Sequence, residues 1–76
     1  MNAQDKYIAK RAIFEALTGG RRLSQMDCRE FEVEDMRTPV SHMRDEFTAG
    51  GYILNSQWIQ TPKGRRIKEY WLTKNN

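Results

Sequence analysis

Four basic residues crowd one short stretch, Lys63, Arg65, Arg66 and Lys68 within WIQTPKGRRIKEYWL at residues 58–72, and their chemistry is that of phosphate contact. Cations on a turn add affinity that is independent of base sequence and weakens with salt. The plain alternative is a soluble hairpin tip whose charges keep a strand edge from aggregating. A second set, Thr38, Ser41, His42 and Arg44, brings hydroxyl, imidazole and guanidinium groups suited to base edges or phosphates. Asp45 and Glu46 beside them would repel phosphates, although an acid can accept a hydrogen bond from cytosine N4. Arg21 and Arg22 follow a double glycine and read either as phosphate contacts beside the basic turn or as a solvated loop.

Catalysis finds little to work with. His42 is the single histidine and Cys28 the single cysteine, too few for a metal site or a Cys/His nucleophile pair. No P-loop, dinucleotide fingerprint, nucleophile elbow or zinc-binding helix is written in the chain. Glu34 and Asp35 read as a solvated connection, and Cys28 as core. The expectation is a non-enzyme with no catalytic residue, no metal and no cofactor.

The elements that would position the basic residues are marked by caps and periodicity. Residues 4–18 predict a helix, with Tyr7, Ile13, Phe14 and Leu17 gathered on one arc and Lys10 snorkelling from within it. Gly19 and Gly20 end it. LSQMDC then writes a capping box, Ser24 as N-cap and Asp27 three residues on, with Leu23 spaced to staple onto Cys28, for a helix over about 25–32. Residues 32–37, EVEDMR, read as a connection. Thr38 as cap and Pro39 in the first helical position open a third helix over about 39–49, with Val40, Met43 and Phe47 inward.

From Tyr52 the period changes to two, and TPKG is a tight-turn signature with Pro62 pre-set and Gly64 free to take positive φ. Pairing Thr61 with Arg65 joins strands over about 52–60 and 65–73, setting Ile59 opposite Ile67, Trp58 opposite Lys68 and Leu54 opposite Leu72. One face then carries Tyr52, Leu54, Trp58, Tyr70 and Leu72, the other Ile53, Ile59, Ile67 and Trp71. A two-stranded ribbon on so small a domain covers one face, so the Trp71 group reads either as core or as a dimer or partner surface.

With 76 residues the chain is read as one domain, burying about 60 to 65% of its unfolded surface, a size that favours binding modules over enclosed active sites. The net charge of +3 conceals a dipole: residues 51–76 hold five Lys/Arg against Glu69 alone, while residues 27–46 hold seven acids against three arginines. One cysteine fits a reducing cytoplasm, and the charged amino-terminal stretch predicts neither a leader nor a membrane span.

Three short helices followed by a hairpin make a winged helix-turn-helix, and TPVSHMRDEFTAGGYI (residues 38–53) resembles the recognition helix and first strand of winged-helix regulators. More narrowly, LTGGRRLS with GYILNSQWIQTPKGRRIKEYWL resembles the small helix-turn-helix domains of phage and prophage genomes, at Gly51, Tyr52, Leu54, Trp58, Ile59, Gly64, Arg65, Arg66, Tyr70 and Leu72. The connection EVEDMRT departs from that pattern in being longer and acidic. The resemblance implies an α+β winged helix that binds duplex DNA as a transcriptional regulator or an excision or replication accessory factor, cytoplasmic and nucleoid-associated when bound. A homodimer, or a complex with a host or phage protein, is part of that expectation. The rival on the same scaffold is a phage-encoded inhibitor or adaptor that docks a host protein through the acidic helices or the Trp71 face.

Overall fold

The computed structural model describes residues 3–75, with side chains from Ile8 onward, so Tyr7's expected place in the core lies outside the described residues. Helix α1 spans Ala3–Thr18, strand β1 Leu23–Ser24, a 3-10 turn Gln25–Asp27, α2 Cys28–Phe31, α3 Arg37–His42, α4 Arg44–Ala49, β2 Tyr52–Gln60 and β3 Arg66–Lys74. The strands form one antiparallel sheet in the order β1-β3-β2. The described residues are α+β, with four α-helices where three are expected and three strands where two are expected.

The extra strand comes from the capping box. Ser24 Oγ accepts from the Met26 amide at 3.2 Å, and the Ser24 amide donates to Asp27 Oδ2 at 2.8 Å. A side-chain-capping N-cap residue is typically extended, and Ser24 is, with φ −139° and ψ −179°. That same extended backbone pairs Leu23 with Tyr70 and Ser24 with Glu69, making β3 the central strand. Leu23 and Cys28, the staple pair, are both buried in the core. Burial pushes the Cys28 thiol up, which suits packing rather than nucleophilic chemistry.

The expected third helix is interrupted at Met43, whose φ of −96° and ψ of 5° leave the helical range. Methionine is a good helix former, so local propensity does not explain the break. The two halves rest mainly on different partners, α3 against α1 and α4 against β2. Val40, Met43 and Phe47 still point inward, and Phe47 stacks on Phe14 with centroids 5.2 Å apart.

The start of α3 also differs from the sequence expectation. Thr38 is not the cap: it lies inside the first turn, and its amide and hydroxyl donate to the two carboxylate oxygens of Asp35 at 3.1 and 2.5 Å. Pro39 is then the third helical residue, still among those whose N–H has no intrahelical acceptor. The connection is anchored as well, because Met36 is fully buried and its amide donates to Gln25 Oε1 at 3.1 Å.

The hairpin register is as expected, with Leu54 opposite Leu72, Trp58 opposite Lys68 and Ile59 opposite Ile67. Thr61 N donates to Arg65 O at 2.8 Å, and Gly64 takes φ +87°. Tyr52, Leu54, Tyr70 and Leu72 pack on the helices, so this face of the sheet meets the core.

The bonds from Thr38 hold the Asp35 carboxyl below the usual carboxylate range. A depressed pKa contributes stability that is present above the ordinary value and lost as pH falls through the folded one. Asp35→Ala is therefore expected to cost about 1 kcal/mol at neutral pH in urea unfolding, the usual worth of a helix cap. The gap from the parent should close as pH drops below the carboxylate range; a gap independent of pH would remove Asp35 from this role.

Candidate nucleic-acid interface

Trp58 shares the core-facing side of β2 but lies further along the hairpin than Tyr52 and Leu54, and unlike them it does not pack against the core. It is 59% exposed, which the sequence pattern, grouping it with core residues, does not foresee. Lys68, directly across the hairpin, holds its Nζ 5.5 Å from the Trp58 ring centroid, and Arg66 holds its guanidinium at 5.6 Å. These distances lie near the outer limit of a cation–π contact.

The groove beside this ring is lined by Gln25, Arg37, Arg65, Arg66, Lys68, Ile67, Tyr70 and Trp58. Four of its lining residues are cations and none is an acid. Arg37, from the first turn of α3, is a member that the sequence reading misses, since only the fold brings it to the hairpin. Burial pushes the Tyr70 hydroxyl up, Arg37 pulls it down and Asp35 adds to the push, so both charges lie within electrostatic reach of that ring. Gln25 is fixed at both ends of its amide, donating to Glu34 O at 3.1 Å and accepting from the Met36 amide. Lys63 is exposed on the turn itself.

The one acid of the hairpin lies on the opposite side. Glu69 alternates with Lys68 and Tyr70, and its carboxylate accepts from Arg22 at 3.2 Å and from Gln57 at 2.9 Å. Arg22 in turn lays its guanidinium 4.2 Å from the Trp71 centroid. Arg21 is engaged too: it makes paired bonds of 2.6 and 2.9 Å to Glu30, approaches Asp27 at 3.8 Å, and lies over Phe31. That pairing holds the Glu30 carboxyl below the usual range. Both arginines are thus held by carboxylates of their own chain, apart from the basic cluster of the hairpin.

The remaining candidates divide. Ser41 is exposed and, four residues from Arg37, shares its stripe of α3. Thr38 and His42, also four apart, face another groove with Ala9, Lys10, Val33, Glu34, Asp35 and Pro39, and the Thr38 hydroxyl is committed to Asp35. Arg44 is exposed beyond the break at Met43. Ser41, His42 and Arg44 are all exposed, and only His42 lines the groove against α1.

The Trp71 group lies on the face of the sheet away from the core. Ile67 is 8% exposed, Ile59 and Trp71 are half-buried, and Ile53, at 45%, is the exposed member. With Arg22 over Trp71, this side is not an open apolar patch.

Among the described residues, no group of three His, Cys, Asp or Glu side chains is placed to hold a metal ion, and no helix is long and apolar enough to cross a membrane. No protein-family model matches the chain, and neither a curated protein nor a solved structure matches it significantly.

The cover on Trp71 can be measured. In a Trp58→Phe background, Arg22→Ala is expected to shift Trp71 emission to longer wavelength as water reaches the ring. Unchanged emission would mean that the guanidinium does not shield it.

Proposed function

We propose that the protein binds duplex DNA as a winged helix-turn-helix, with β2 and β3 as the wing. One observation carries the reading: Arg37, Arg65, Arg66 and Lys68 line a groove without an acid, and the hairpin's lone carboxylate, Glu69, is turned to the other side and paired. Lys63 extends the positive surface to the turn. The resemblance to small phage and prophage helix-turn-helix domains supports a role in transcriptional, excision or replication control, as a binding protein without catalysis.

The helical region suits this reading better than its raw charge suggests. Of its seven acids, Asp27 closes a capping box, Glu30 binds Arg21 and Asp35 caps α3, so three of them serve internal contacts. Arg37 and Ser41 are the helix residues best placed to approach DNA that lies in the wing groove. Partnering through a second copy, or through another host or phage protein, belongs to the same proposal. The adaptor reading is supported by one feature, the groove of Ala9, Val33 and Pro39 edged by Glu34 and Asp35.

Three to four phosphate contacts imply that affinity for a random duplex falls on the order of 40- to 150-fold between about 50 and 200 mM salt. Arg66→Ala is expected to weaken all duplex sequences alike and to lower the salt slope by about one. Ser41→Ala should alter sequence preference. An affinity indifferent to both salt and Arg66→Ala would overturn the wing as a DNA contact.

A further inference from the structure

The two tryptophans of the hairpin are treated in opposite ways. Trp71 is covered by Arg22, and Arg22 is itself fixed by the Glu69 carboxylate, so that ring is closed. Trp58 is 59% exposed, and the cations near it, Arg66 and Lys68, make no ion pair with any carboxylate among the described residues. Phosphate contact alone gives no reason for an exposed indole. In water such a ring is an aggregation liability, and the cations would serve equally well beside a threonine.

We infer that Trp58 is a stacking platform for an unpaired base, so that the wing groove selects DNA with a single-stranded gap over fully paired duplex. The inference rests on the DNA-binding reading above and narrows its substrate class. A base and its phosphate ask for an aromatic face and a nearby cation together, which is what Trp58, Arg66 and Lys68 supply. The geometry also permits the exchange. With both cations near the outer limit of contact, each can move to a backbone phosphate while the ring face passes from cation to base. Every nucleobase has a stacking face, so this selection is for strand state and not for sequence.

The test compares two fluorescein-labelled DNAs of equal length, one fully paired and one with a three-nucleotide gap that lowers its charge, by anisotropy at a single salt concentration. Gapped DNA is expected to bind roughly ten-fold more tightly, the worth of one to two stacked bases. Trp58→Ala should erase that preference and Trp58→Phe should keep most of it. In a Trp71→Phe background, gapped DNA should quench Trp58 emission more than paired DNA does. Circular dichroism of each variant confirms folding, which an exposed position leaves intact.

Equal affinity for the two DNAs, or a loss in Trp58→Ala that is the same for both, overturns the stacking role and leaves duplex binding standing. Binding to neither DNA overturns the DNA reading and this inference with it. Retention of an acidic protein or polyanion such as heparin with no preference among DNAs would mark the groove as a general anion surface, and would likewise remove the base platform.

Discussion

Two rungs of backbone pairing, Leu23 with Tyr70 and Ser24 with Glu69, hold the helices and the hairpin in one arrangement, and most of the surface chemistry follows from them. Leu23 enters the core opposite Tyr70. Arg22, one residue earlier, is delivered to Trp71 and Glu69. Gln25, one residue later, leaves the sheet and becomes a wall of the basic groove. The pairing itself depends on the extended N-cap conformation of Ser24, so a local helix-start signal doubles as the strand that joins the two halves.

The second consequence is a sorting of charge. Net charge by segment describes a positive hairpin and a negative helical region, but the fold acts at the level of single side chains. Arg21 and Arg22 are taken up by Glu30 and Glu69, and Asp35 is spent on Thr38. What remains beside the hairpin is Arg37 with Arg65, Arg66 and Lys68. An arginine from the acidic segment thus joins the basic cluster, while two from the basic loop leave it.

Signals confined to a few residues were legible in the sequence. The capping box, the TPKG turn with its register, and the inward set Val40, Met43 and Phe47 all depend on neighbours at fixed short spacing. What could not be read depends on contacts between distant segments. Strand β1 is two residues long and has no alternation to betray it. At the break at Met43 the two halves of one helical run meet chiefly different elements, α1 and β2, which lie far from it in sequence. Trp58 and Tyr70 share a strand parity, and parity says which face a side chain is on but not how far along it the helices reach.

That last distinction bears on what the hairpin is for. If β1 ran on past Ser24, its next residue would pair with Lys68 and close the edge of β3. The capping box turns the chain into a 3-10 turn at Gln25 instead, and the edge opens beside Arg66 and Lys68. Basic side chains on an open edge discourage pairing between molecules, which is reason enough for the cations. It is no reason for Trp58. A large exposed ring works against the solubility those charges provide, in a domain whose marginal core could use the buried area. Edge protection accounts for the cations of the hairpin and leaves Trp58 to the base platform proposed above.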